Sequence, residues 1–192
     1  MGVEKKKTIH SSVVSSFLEN SYSNKQKRSI EGFGRDDSLS GKRVQVYRDN
    51  NGKAVVVHRG TAGMHDMVTD LKMSLGFKNS KRLKHSKNIQ KQAEAKYGSD
   101  NTTTMGHSLG GALAEESSKR GSRVITLNKA AVPRGVERKN HKNQTDVRTK
   151  NDLVSKLSFL QGGGTKVLIK SKSLNPLTEH STNVLDRIDK EL

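Results

Sequence analysis

Cysteine and tryptophan are absent from the 192 residues, and only two prolines occur. Without cysteine the chain can hold no disulfide scaffold, no Cys-ligated structural zinc and no thiol nucleophile. Aromatic side chains number only three Tyr and four Phe. A core must therefore come from Val, Leu, Ile, Ala and Met, and it will be lean, because the apolar set makes up 30% of the chain. No apolar run approaches the roughly 18 residues of a membrane span. The opening MGVEKKKTIHSSVV has no apolar centre of the signal-peptide kind. The length suits one domain.

Negative charge is the other shortage. Nineteen Asp and Glu face 36 Lys and Arg, a net charge of +17. Such a chain is drawn to polyanions by a long-range, salt-sensitive field. The partner classes are an anionic membrane surface, nucleic acid held through non-specific charge, or an acidic protein. The basic residues are spread over Lys5–Lys7, Lys25–Arg28, Lys78–Lys91, Lys129–Lys150 and Lys166–Lys172. No aromatic residues are interleaved with them, so a base-stacking surface is not indicated.

Strand and helix patterns alternate along the chain. Residues 8–21 put Ile9, Val13, Val14, Phe17 and Leu18 on one helical face. Residues 22–41 read as loop. Residues 43–47 alternate like a half-buried strand, Asp49–Gly52 is a hairpin turn, and 53–58 is a fully buried strand. Residues 63–73 return to helical spacing. Residues 83–97 form a basic helix with Leu83, Ile89, Ala93 and Tyr97 inward and Gly98 as its cap. Strands follow at 102–105, 124–127, 145–149 and 166–169. Gly106–Gly111 reads as a turn, 112–120 as a helix, and a last helix carrying Val184, Leu185 and Ile188 starts at Ser181 or Thr182. This order predicts an α/β layered sheet with a largely parallel centre and helices on both faces.

Gly106-His107-Ser108-Leu109-Gly110 is a G-x-S-x-G sequence between a predicted strand and a predicted helix. A serine on that tight turn projects its Oγ above the carboxyl end of the sheet, with helix N–H groups beside it. Ser108 is the candidate nucleophile, and an ordinary serine needs a base and an orienting acid. On this architecture the order is Ser, then acid, then His. After Ser108 only His141 and His180 remain. The carboxylates Asp146 and Asp152 both follow His141, so the order selects His180. Asp152 lies past the carboxyl end of its strand, where ligand sites form, whereas Asp146 lies at the wrong end. Thr61, after the buried strand 53–58, and Leu109, after the nucleophile, are the candidate oxyanion donors. His107 is expected to pack or hydrogen-bond rather than transfer protons. His65, Asp66 and Asp70 lack a metal-ligand spacing, and neither a metal nor another cofactor is implied.

Three stretches together, Val55–Thr61, Asp66–Leu71 and Gly106–Ala114 (GHSLGGALA), make residues 43–185 resemble the class 3, fungal-type lipase family. Asn151–Leu157 is similar to that family's acid loop, and His180 falls where the family places its base. A looser similarity is to compact lipase-like proteins encoded by DNA viruses of protists. The resemblance implies an α/β-hydrolase-type fold and cleavage of lipid carboxyl esters through an acyl-enzyme. It implies Ser108 as nucleophile, Asp152 as acid, His180 as base, and Thr61 with Leu109 as oxyanion donors.

The chain departs from the family at His58, where an aromatic residue is usual, and at Met67, where a Trp is usual. No large lid is present, and Met64, Met67, Val68 and Leu71 are the candidates for a small lid and acyl-binding surface. The expectation is one α/β-hydrolase domain over 1–192, with 1–41 an N-terminal helix and loop and 42–192 the catalytic core. Its location would be cytoplasmic or virion-associated. The rivals are a basic structural or nucleic-acid- and virion-associated protein that keeps the lipase-like scaffold, and another acyl-transfer enzyme, such as a thioesterase or peptidase, on the same triad.

Overall fold

The computed structural model describes residues 9–61, 80–119, 121–131, 143–152, 164–173, 175–188 and 192. The predicted helix over 63–73, with Met64, Met67, Val68 and Leu71, lies outside them, as do His65, Asp66, Asp70 and His141.

Eight strands form one sheet in the order of the chain: β1 Ser29–Ile30, β2 Phe33–Arg35, β3 Val44–Arg48, β4 Ala54–His58, β5 Thr102–His107, β6 Arg123–Leu127, β7 Gln144–Thr149 and β8 Thr165–Ile169. The pairings from β1 to β4 are antiparallel and those from β4 to β8 are parallel. The predicted fold class, a mostly parallel α/β-hydrolase-type sheet, is therefore what the chain adopts. The antiparallel half follows from the tight turn at Asp49–Gly52, where Asp49 Oδ1 accepts the N–H groups of Asn51 and Lys53 at 2.9 and 2.8 Å. The parallel half needs crossovers, and among the described residues two of these carry helices, α2 Lys81–Tyr97 and α3 Leu109–Ser117.

Both faces of the sheet are covered, as the alternation within β4 requires. Val55 and Val57 face α1 (Ser11–Tyr22) and share a core with Val14, Phe17, Leu18, Met105, Ile125, Leu127 and Val147. Val184, Leu185 and Ile188, from the 3₁₀ segment Thr182–Arg187 and the residue after it, close that core. Val56 faces the other way and packs with Val44, Val46 and Ala93. Leu83 of α2 packs on Ala112 and Leu113 of α3. A fully buried Val, Leu or Phe contributes about 1.5–3 kcal/mol, so these small clusters suffice for a lean composition.

Three local expectations are corrected. Segment 22–41 is not all loop: it contains β1 and β2, joined by a turn with Glu31 at φ 47° and Gly32 at φ 81°. Strand β3 is buried on both faces from Val44 to Tyr47 rather than half-buried. Its polar member Gln45 tolerates this because Asn20 Nδ2 donates to its Oε1 at 3.1 Å and its own Nε2 donates to the Ser21 carbonyl. Helix α3 starts at Leu109 rather than Ala112, because β5 runs on to His107 and a single residue makes the turn.

Candidate active site

That single residue is Ser108. Its φ of 56° and ψ of −126° lie in a region that L-residues avoid. The backbone is held there from both sides. Ser108 N–H donates to the Leu127 carbonyl at 3.0 Å, and the Ser108 carbonyl accepts from Gly111 at 2.9 Å and Ala130 at 3.1 Å. The flanking glycines have a steric reason. A Cβ on Gly106 would overlap the Gly110 carbonyl, and one on Gly110 would overlap the His58 carbonyl and stand 2.8 Å from the Gly60 nitrogen. The end of β4 and the residues after it, from His58 to Gly60, therefore rest on the first turn of α3. The first N–H groups of α3 have no acceptor within the helix.

Asp152 and His180 meet. The Nδ1–H of His180 donates to Asp152 Oδ2 at 2.8 Å, with both side chains buried. Asp152 follows β7 and is held by its own N–H on the Thr149 carbonyl at 3.1 Å. The other ring nitrogen, His180 Nε2, is buried and meets no hydrogen-bond partner among the described residues. His180 follows the short helix α4 (Pro176–Glu179). Its ring lies 4.8 Å from that of His107, the residue before Ser108.

Two residues that sequence reasoning passed over hold this loop. Asn128, at φ 45°, donates from Nδ2 to the Glu179 carbonyl at 2.8 Å and accepts the Thr149 N–H at 2.9 Å. It thus ties the ends of β6 and β7 to the residue before His180. The Glu179 carboxylate accepts from Arg187 at 2.7 Å and from the N–H groups of Ser173 and Lys172 at 2.8 and 3.1 Å. Burial pushes its pKa up, but those bonds outweigh it and hold the group below its ordinary value. An Asn just after a strand, where left-handed backbone suits it, was the available signal for the first. Nothing local marks the second.

His107 is fully enclosed. Burial, with His180 beside it, pushes its pKa down to about 3. It is neutral at physiological pH and hydrogen-bonds on both sides, through Nδ1 to Tyr22 Oη at 2.8 Å and through Nε2 to the His180 carbonyl at 2.5 Å. His58 is equally enclosed, and burial pushes it down to about 4. Its Nε2 pairs with Gln90 Oε1 at 3.1 Å, on the α2 face of the sheet.

Asp146, the other carboxylate considered, belongs to a different cluster. It lies under α3 and accepts from Thr126 at 2.5 Å, Gln144 at 2.8 Å and buried Lys129 at 3.3 Å. Among the described residues no group of three or more His, Asp or Glu could hold a metal ion, and no helix is long and apolar enough to cross a membrane.

Comparison with known proteins agrees with this architecture. A family model described as phospholipase-like, a Tle-like phospholipase domain, matches residues 20–167. Lip2 lipase from Yarrowia lipolytica superposes at a TM-score of 0.53 and 15% identity, with 86% of this chain and 80% of that one covered. Rhizomucor miehei lipase, in its propeptide complex, gives 0.55 and 14%, covering 92% and 78%. A mutant form of MDLA from Penicillium cyclopium gives 0.55 and 19%, covering 86% and 78%. At these identities the likeness shows the fold, the α/β-hydrolase fold of fungal lipases. No curated protein matches the sequence. The family match spans most of the chain, which therefore belongs to the phospholipase-like family of the Tle-like phospholipase domain and is a carboxylic ester hydrolase.

Proposed function

We propose that Ser108, Asp152 and His180 form a triad that hydrolyses lipid carboxyl esters through an acyl-enzyme. The Thr61 and Leu109 backbone N–H groups would hold the oxyanion. One observation carries this reading. A His180 ring fixed by Asp152 at 2.8 Å keeps its second nitrogen without a hydrogen-bond partner among the described residues, and that ring lies 4.8 Å from the ring of His107, the residue before the strained turn at Ser108. Buried polar atoms are normally satisfied, and an exception is expected where a reacting group must be received.

The chemistry follows. Ser108 Oγ attacks the ester carbonyl carbon as His180 Nε2 takes its proton. Asp152 keeps the proton of His180 on Nδ1 and stabilises the imidazolium. The oxyanion collapses, the C–O bond to the alcohol breaks, and Nε2–H protonates the departing oxygen. Water then attacks the acyl-Ser108, giving its proton to His180 Nε2; the bond from the acyl carbon to Ser108 Oγ breaks, Nε2–H returns its proton to that oxygen, and the acid leaves. One oxyanion donor is worth roughly 10²–10³ in rate.

Labelling with a fluorophosphonate probe tests the triad. The wild type is expected to label, and Ser108→Ala and His180→Ala are expected not to. A wild type that stays unlabelled beside anionic vesicles, or a His180→Ala that labels at the wild-type rate, overturns it.

We also assign the excess positive charge to docking on an anionic lipid surface. Helix α2 supports this. Lys81, Lys84, Lys87 and Lys91 are exposed on it, and its one acid, Glu94, is buried. Arg82 at the same end donates to the carbonyls of Arg59 and Gly60, so the lysine-bearing first turns adjoin the Thr61 loop. Turnover is expected to be faster on acidic than on neutral vesicles, with the gap closing at high salt. Equal rates at low salt would remove the assignment.

A further inference from the structure

Tyr22 ends α1, 85 positions before the histidine it touches. We propose that Tyr22 and His107 are positioning residues for His180, acting through one directional chain of hydrogen bonds that locks the Thr61 loop and the His180 loop to each other. The proposal rests on the triad reading, since it gives the chain its task.

The direction is forced by what each atom can do. A carbonyl only accepts, so His107 Nε2, 2.5 Å from the His180 carbonyl, carries the hydrogen and donates it. His107 is neutral, so Nδ1 bears a lone pair and must accept. Tyr22 Oη, 2.8 Å away, therefore donates. The Tyr22 oxygen in turn accepts the N–H of Gly60. That contact needs glycine, because a Cβ at residue 60 would overlap the Tyr22 hydroxyl and stand 2.5 Å from the His107 carbonyl. The chain thus runs from Gly60, the neighbour of Thr61, through Tyr22 and His107 to the backbone of His180.

Asp152 fixes only one edge of the His180 ring. Asn128 ties the residue before His180, and the His107 bond to the His180 carbonyl adds a hold at His180 itself; misplacing a reacting group by about 1 Å costs on the order of 10² in rate. Tyr22 supplies the tautomer. Without its hydroxyl, His107 can move its hydrogen to Nδ1 and turn a lone pair on the His180 carbonyl, which repels it. Neutrality matters too, because a charged His107 would stand 4.8 Å from the imidazolium formed on His180.

Three variants separate positioning from packing. Tyr22→Phe removes only the hydroxyl, His107→Leu removes both nitrogens, and His107→Gln keeps an N–H donor. Steady-state hydrolysis of p-nitrophenyl butyrate and thermal unfolding are measured for each. We expect Tyr22→Phe to lower kcat about tenfold with KM within about twofold, and His107→Leu to lower it about a hundredfold. His107→Gln should regain most of that loss. The double variant Tyr22→Phe/His107→Leu should be no slower than His107→Leu, because Tyr22 acts through His107. In ¹⁵N-imidazole spectra the wild-type His107 should be the Nε2–H tautomer, and Tyr22→Phe should lose that preference.

An unchanged kcat in Tyr22→Phe, a His107→Gln as slow as His107→Leu, additive losses, or a wild-type Nδ1–H tautomer each overturns the proposal. Loss of thermal stability with normal kcat per folded molecule does so as well. A wild type that neither hydrolyses the ester nor labels at Ser108 instead overturns the triad reading, and with it the task assigned to the chain.

Discussion

Gly110 sits so close to His58 that a Cβ on Gly110 would overlap the His58 carbonyl oxygen. This approach presses the end of β4, just ahead of Thr61, against the helix that follows Ser108. Gly110→Ala is therefore expected to destabilise the fold by about 1–3 kcal/mol, the usual cost of overpacking. It should also lower the rate of fluorophosphonate labelling at least tenfold or so, by pushing the Thr61 loop off α3. Gly111→Ala is the control. Its nearest contacts would be 3.1 and 3.3 Å, so small shifts suffice and both losses should be minor. Denaturant titration and labelling kinetics on the two variants check the contrast.

Ser108 stores strain that a substitution can release. At φ 56° and ψ −126° an L-residue costs on the order of 1–3 kcal/mol, whereas glycine is at ease. Ser108→Gly and Ser108→Ala both delete the nucleophile, yet only the first relieves the backbone. Ser108→Gly should unfold at a higher denaturant midpoint than Ser108→Ala, by about 1 kcal/mol or more at equal slope. If the alanine variant proves the more stable, the strain at this turn is not real.

The sequence carried much of this arrangement because the decisive signals were local. The run Val55–Val57, the glycines around Ser108 and the Asp49–Gly52 turn act within a few residues. Chain order alone then separated His180 from His141. What stayed hidden depends on contacts across the fold. Tyr22 matters because it meets His107, and Asn128 because it meets Glu179 51 positions later. The β1–β2 hairpin escaped for another reason. Its turn puts Glu31 at a positive φ where Asn, Asp or Gly usually signals a turn, and its strands have only two and three residues. Gln45 misled because a polar residue in an alternating strand implies exposure, yet Asn20 and Ser21 satisfy it inside.

Two buried histidines make the fold acid-labile. Burial holds His58 at about 4 and His107 at about 3, both below the ordinary 6.5. Depressed histidines leave the unfolded chain binding more protons, so stability falls as pH drops through 6.5 and continues to fall until the folded-state values are reached. From pH 7.5 to pH 5 each group should cost about 2 kcal/mol, about 4 kcal/mol together. Asp36 does not offset this. Burial raises its pKa, but hydrogen bonds from Lys96, Ser38 and Tyr97 hold it well below its ordinary value, and its contribution is lost only below about pH 4. Urea titrations at the two pH values measure the slope. His58→Gln, which keeps an amide donor toward Gln90, should remove roughly half of it, and an unaltered slope would place the lability elsewhere.

Under α3, among the described residues, two cations meet two anions. Lys129 Nζ donates to Glu115 at 2.5 Å and reaches Asp146 at 3.3 Å, while Arg148 lies 3.8 Å from Asp146. All four are buried, and Thr126 and Gln144 add further bonds to Asp146. Such a cluster is worth little against an apolar replacement of the whole, but removing one member leaves a buried charge uncompensated. Lys129→Met keeps the volume and breaks the balance, and it should cost about 3–5 kcal/mol. Lys129→Met/Glu115→Gln restores neutrality, leaving Asp146 with Arg148, Thr126 and Gln144, so it should regain at least about 1 kcal/mol despite carrying one more substitution. Glu115 anchors the helix that follows Ser108, so the single variant should also slow labelling, and the double variant should recover part of that rate. Additive losses in the urea titration would mean that charge balance is not what holds α3 to β6 and β7.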